Sequence, residues 1–295
     1  MRIKEGLRKL FSNCVRVLLD SNSVYRKRLD RISSIDQQTQ ILLALKYKEL
    51  QHHGVGLPSF SEVEFRSFSQ NGEDGILHYI FSLIGTTDKR AVEICAGDGI
   101  ECNTANLIIN HGWYGLLVDG NCSQVEKGRE FYANYQDTFI WPPAFVEAWV
   151  TRENVNALLT EQGFSGEIDL LSLDMDGVDY WIWKAITGIC PRVVVVEYQD
   201  GWGPEKSVTV EYRENFQSAI IGSAGASLAA FVKLGKEKGY RLVGCQRYGF
   251  NAFFIRNDIA QEIFPEVTSA TCFNHPRALR QIEWDKLNAH KWVEV

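Results

Sequence analysis

No stretch of this 295-residue chain is an apolar run long enough to cross a bilayer, and none of its seven cysteines stands in a Cys-x-x-Cys pair. The first absence excludes a sequence-readable membrane span. The second, with an odd number of cysteines at irregular positions (14, 95, 102, 122, 190, 245 and 272), argues against a zinc or disulfide framework and for a reduced, cytoplasmic protein. The leading residues lack a signal-peptide pattern, because Lys9 and Arg16 interrupt their apolar positions. No Ser/His/Asp or Cys/His arrangement has motif context, so nothing supports hydrolase chemistry. Positive charge is scarce outside the N-terminus: residues 1–50 carry a net +6, whereas the remaining 245 carry −12. Such a body is a poor partner for nucleic acid, and no NPPY- or DPPY-like motif follows Asp174.

What is present is a nucleotide-binding half of a doubly wound sheet. RAVEICAGDGIECNTANLI (90–108) reads as a buried strand, Ala91 to Cys95, then a turn with Gly97, Asp98 and Gly99, then a helix. YGLLVDGN (114–121) is a second apolar strand ending on Asp119, an acid placed to accept hydrogen bonds from a ribose diol. A dinucleotide turn needs a third glycine so that the helix N-terminus can approach a pyrophosphate, and here Asp98 would repel one. Glu93 and Asp98 suit a ligand carrying positive charge, such as S-adenosylmethionine with its sulfonium and ammonium groups. A dinucleotide oxidoreductase is therefore disfavoured.

A second constellation lies further on. GEIDLLSLDMDGVDYWIWKAI (166–186) holds a strand over Ile168–Leu173 that empties into Asp174, Asp176 and Asp179, and PRVVVVEYQD (191–200) is a β-branched strand ending in Glu197 and Asp200. Ligands bind outside the carboxyl ends of strands in such sheets, so five carboxylates gather at one edge. They could hold Mg²⁺ and lower the pKa of a sugar hydroxyl, or one of them, raised by its neighbours, could act as general base. Asp174 or Asp176 could equally cap the next helix or hold polar groups of the cofactor.

FSQNGEDGIL (68–77), VEICAGDGIECNT (92–104), GWYGLLVDGN (112–121), DLLSLDMDGVDYWIWKAI (169–186) and PRVVVVEY (191–198) together resemble the FkbM-type class I S-adenosylmethionine-dependent O-methyltransferases over about residues 60–257. The resemblance implies a Rossmann-like α/β fold and methylation of a hydroxyl on a carbohydrate: a glycan, nucleotide sugar or glycosylated metabolite. It implies cofactor contacts from Gln70, Glu93, Gly97, Asp98, Gly99, Asn103, Asp119 and Asp174, metal ligation by Asp176 and Glu197, and catalysis by Asp176 and by Asp179 as base. Where those relatives usually show paired aspartates after the last of these strands, this chain has Glu197, Tyr198 and Gln199; Cys95 stands where they often have glycine. A non-catalytic binding or scaffolding subunit on the same fold is the competing reading.

The chain divides into an N-terminal helical extension (1–56), the methyltransferase-like domain (57–257) and a C-terminal tail (258–295). Leu7, Leu10, Phe11, Cys14, Val15, Leu18 and Leu19 recur at helical spacing beside basic residues, which fits peripheral membrane contact or packing on the domain or on a second copy. A second helix is expected from Asp36 to His52 after Ser33 and Ser34 as caps. In the loop 201–217, Trp202, Tyr212 and Arg213 are candidates to touch a sugar, or they tuck against the body. Helical spacing extends over Ile259–Phe264 and Arg277–Lys291, and His111 at a helix end suits the helix dipole.

Overall fold

The computed structural model describes residues 36–218, 222–277 and 287–295. The apolar positions that alternate or run unbroken in the sequence become seven strands of one sheet: β1 (Arg90–Ile94), β2 (Tyr114–Asp119), β3 (Ala144–Glu147), β4 (Gly166–Leu173), β5 (Ile189–Glu197), β7 (Tyr240–Cys245) and β8 (Asn251–Arg256). Their order is β3-β2-β1-β4-β5-β8-β7, with β1 to β5 parallel and β8 antiparallel to both β5 and β7. This is the doubly wound, Rossmann-like α/β arrangement expected, closed at one edge by the β7–β8 hairpin.

Both faces are covered, which is why Val193 to Val196 form a continuous run. Val194 and Val196 face a layer holding α6 (Val155–Glu161), α7 (Asp179–Ala185) and α8 (Leu228–Glu237), where Trp183 is enclosed by Phe231, Tyr240 and Phe254. Val193 and Val195 face the other layer, built from α3 (Glu73–Ile84), α4 (Ala105–His111) and α5 (Cys122–Asn134). Strand order reverses between β1 and β4, so the carboxyl ends of β1, β2, β4 and β5 open around one crevice.

The first described helix, α1 (Gln37–His52), packs on α3, and the single-turn α2 (Phe60–Val63) lies between them in the chain. Its cap is Asp36, whose carboxylate accepts the Thr39 N–H at 2.7 Å; Ser33 and Ser34, the expected caps, lie outside the described residues, as does the basic helical pattern of residues 7–19. Gln40 is fully buried and joins α1 to α4 through Asn106 and His111. His111 stacks on His78, and burial pushes its pKa down to about 4. A neutral imidazole cannot serve the helix dipole as a cation, so the expected role gives way to a hydrogen bond with Gln40.

The C-terminal tail departs from expectation as well. Ile259–Phe264 forms turns rather than a helix, because the buried Arg241 guanidinium collects the carbonyls of Arg256, Ile259 and Phe264. Most of 277–291 lies outside the described residues; beyond it β9 (Trp292–Glu294) pairs with β6 (Val208–Val210), tying the tail to the 201–217 loop.

Candidate functional site

Outside the carboxyl ends of the strands lies a cavity of about 1340 Å³. Cys95 and Gly97 follow β1, Asp119 to Cys122 follow β2, Glu147 to Val150 follow β3, Asp174 to Asp176 follow β4 and Glu197 closes β5. Gln70 and Asn71 form one wall, with Phe250; Glu214, Phe216, Gln217 and Ser218 form another. Six carboxylates, Asp119, Glu147, Asp174, Asp176, Glu197 and Glu214, line this space, and no lysine, arginine or histidine does so among the described residues.

Asp119 is held by its surroundings rather than left free. Its Oδ2 accepts the Gly97 N–H at 2.8 Å and its Oδ1 accepts the Asn121 N–H at 2.8 Å. Each oxygen keeps a further lone pair for a ligand, which fits a carboxylate gripping a diol. Gly97 takes a left-handed φ of 57° facing the cavity, where a side chain would be strained. Cys95 has the same kind of backbone, with φ 64°, so β1 stops at Ile94 and the residue sits in a conformation that glycine adopts without strain. Cys95 is exposed to the cavity, yet desolvation there and the neighbouring aspartates raise its thiol pKa.

Several expected cofactor contacts are engaged elsewhere. The Asp98 carboxylate turns toward α5 to pair with Lys127 and accepts the Ile100 N–H, so it does not line the cavity. Gly99 lies beneath the sheet edge: a Cβ there would come within 2.6 Å of Leu117 and 2.8 Å of Phe145. Glu93 is buried and takes the Asn103 and Thr104 N–H groups, ordering the loop before α4, while Asn103 donates to Ser172 at 3.1 Å. Glu93 and Asn103 therefore border a smaller chamber beside the cavity.

The acidic cluster after β4 also sorts itself. Asp179 is buried as the first residue of α7, and its two oxygens accept the Met175 N–H at 2.7 Å and the Gly177 N–H at 3.1 Å. It does not reach the cavity: it shapes the 174–178 loop, which corrects the expectation of a base at this position. Neither Asp174 nor Asp176 caps the helix, whose N-cap is Val178. Asp176, with φ 52°, is exposed on the cavity rim.

Asp174 and Glu197 instead hydrogen-bond to each other, carboxyl to carboxyl. Burial and then the nearby aspartates hold the Glu197 pKa far above the carboxylate range, so it keeps its proton and donates it to the Asp174 carboxylate. Burial raises Asp174 too. Two carboxyls that share a proton do not make a ready cation cage, and among the described residues no three His, Cys, Asp or Glu side chains group to hold a metal.

The loop residues expected to touch a sugar lie elsewhere. Trp202 packs on Trp292, the Tyr212 hydroxyl donates to Glu153, and Arg213 pairs with Glu211. The loop reaches the cavity through Phe216, packed over Gly177, and through Glu214, whose carbonyl accepts the Trp149 indole N–H at 2.7 Å. Trp149 was missed in the sequence although it follows the acid that ends β3, the same strand-end signal that marks Asp119 and Glu197.

No family model and no curated protein matches the chain. Among solved structures it is similar to magnesium protoporphyrin IX methyltransferase (ChlM) from Synechocystis PCC 6803 with bound SAM, at 11% identity over 83% of this chain and 96% of that one, with a TM-score of 0.38. It is similar to the N-terminal domain of EvdMO1 with SAH bound at 12% identity, covering 76% and 96% of the two chains, TM-score 0.41. The glycopeptide N-methyltransferase MtfA complexed with SAH gives 10% identity, 70% and 96% coverage and a TM-score of 0.40. Likenesses this distant carry no functional argument; the cavity itself has to supply one.

Proposed function

We propose that this protein is an S-adenosylmethionine-dependent O-methyltransferase acting on a carbohydrate hydroxyl. The observation that carries the reading is the cavity's charge: six acidic side chains, of which Glu197 keeps its proton, and no described cation, beside a strand-end aspartate poised for a ribose. Such a surface repels a pyrophosphate and favours a ligand that is itself cationic. When bound, the cofactor supplies a methyl group made electrophilic by its sulfonium.

The chain's residues then divide the work. Asp119 holds the ribose, Gly97 lets the backbone come close, and Gln70 borders the amino-acid end. Asp174 is the carboxylate able to accept the acceptor hydroxyl's proton, because its raised pKa makes it a stronger base than a surface aspartate and Glu197 fixes its orientation. Asp176 on the rim is placed to hydrogen-bond another hydroxyl of a polyol. Positioning supplies much of the acceleration of an in-line transfer. In this reading Asp174 alone takes the proton, with Glu197 orienting it, and the step needs no Mg²⁺.

The same field narrows the acceptor class to neutral or amino sugars over nucleotide sugars, whose phosphates the cavity would repel. Incubation with methyl-labelled S-adenosylmethionine and a panel of free glycosides, aminoglycosides and nucleotide sugars tests this. Label is expected in the uncharged or cationic acceptors and unaffected by EDTA. Transfer confined to nucleotide sugars, or abolished by EDTA and restored by Mg²⁺, would overturn the assignment.

A further inference from the structure

Beside the main cavity is a second, small chamber of about 110 Å³, reached past Gln70, Cys95 and Asp174, which line both spaces. Its walls carry four acids, Glu73, Glu93, Glu101 and Asp174, and no lysine, arginine or histidine among the described residues. Carboxylates so placed could simply be satisfied by the protein. Glu93 is, through three hydrogen bonds with Asn103 and Thr104. Glu73, fully buried at the start of α3, takes the Asn71 N–H on one oxygen and the Asn251 side-chain amide at 3.0 Å on the other.

Asn251 is the informative member. It is only 5% exposed, at the start of β8, and its donation to Glu73 fixes which way the amide faces, since the flipped amide would set oxygen against carboxylate. Its Oδ1 is thereby turned away from Glu73 and has no hydrogen-bond partner among the described residues. A buried acceptor without a donor costs free energy, and it lines a chamber with no protein donor charged to meet it. A group that meets it must donate a hydrogen bond, and the surrounding acids favour one that is positively charged. The chamber's volume suits a small group such as an amine better than a whole nucleoside.

We infer that this chamber is the seat of a primary ammonium group, the α-amino group of the proposed cofactor, held by Asn251 Oδ1 with Glu101 and Glu73 supplying the field. The inference rests on the proposed cofactor, and it assigns recognition of the amine to α3 and β8, outside the glycine turn that the sequence singles out. An ammonium has three donors, enough for Asn251 and two carboxylates. The chamber accordingly selects for the amine and leaves the adenosine end to Asp119.

Calorimetric titration separates the two ends. The full chain and its variants Asn251→Ala and Glu101→Gln are titrated with S-adenosylhomocysteine, with its analogue lacking only the α-amino group, and with methylthioadenosine, which lacks the whole amino-acid end. Glu101 is exposed, so its substitution leaves the fold unburdened. The expected result is that both variants lose affinity for S-adenosylhomocysteine, by about tenfold or more for Asn251→Ala. The deaminated analogue should bind the wild type weakly and the variants no worse, with methylthioadenosine unchanged throughout. Equal weakening of all three ligands, or no preference of the wild type for the amine, would overturn the ammonium seat while methylthioadenosine binding still upheld the cofactor. Failure of all three ligands to bind the wild type would overturn both.

Discussion

Replacing Asp169 by Ala is expected to cost about 3–5 kcal/mol of folding stability, read as a lowered urea midpoint with an unchanged slope. Asp169 sits fully buried in β4 and its carboxylate does two things at once. It pairs with the buried Arg192 of β5 at 2.7 Å, and it accepts the N–H groups of Thr87, Asp88 and Lys89. Those three residues lead into β1, and Lys89 is held there at a left-handed φ of 54°. Arg192 also donates to the carbonyls of Ile84 and Gly85, where α3 ends. Removing the carboxylate leaves a buried guanidinium without its counter-charge and three N–H groups without their acceptor. Each is an established route to a large loss. A loss below about 1 kcal/mol would contradict this account of how β1 is anchored.

Asp174→Asn is expected to lower kcat by about 10²- to 10⁴-fold, with a much smaller loss of cofactor affinity because Asp174 also lines the small chamber. The pH dependence is distinctive. A carboxylate base works only when ionised, and because burial raises Asp174, the wild-type rate should fall on the acid side well above the ordinary carboxylate pKa, near about 7. Stability runs the other way. The folded state binds this proton more tightly than the unfolded chain, so the stabilisation from protonation is present at low pH and is lost as pH rises through the folded pKa. The Asn variant escapes that loss. It should be less active yet more thermostable than wild type at pH 8, with the difference closing toward pH 4. A variant that is both inactive and less stable at pH 8 would mark Asp174 as structural.

Much of this architecture is written in the residues themselves. Strand ends were legible because a strand buried on both faces is mostly apolar and gives way to polar residues where it meets solvent, as at Asp119 and Glu197. The glycine turn was legible because few residues take its backbone, although Cys95 takes it too. Illegible was the direction in which a carboxylate points. Asp98 and Asp179 stand in the same acidic runs as Asp119 and Asp174, but Lys127, 29 residues away, draws one aside and two backbone N–H groups claim the other. Sequence proximity cannot rank such partners, which tertiary folding selects. The same holds for Asn251, an unremarkable polar residue until β8 lies against β5. For the tail, helical spacing at 259–264 was real, but Arg241 offered those carbonyls a better set of donors than a helix would.

Titration of the purified protein with S-adenosylhomocysteine, repeated on Asp119→Ala, tests the central claim most directly. Binding in the micromolar range, about 8 kcal/mol, that disappears in the variant while its thermal unfolding is unchanged is the predicted result. Absence of binding to the wild type, with or without Mg²⁺, would contradict the methyltransferase reading and leave a scaffold that kept the fold without its cofactor.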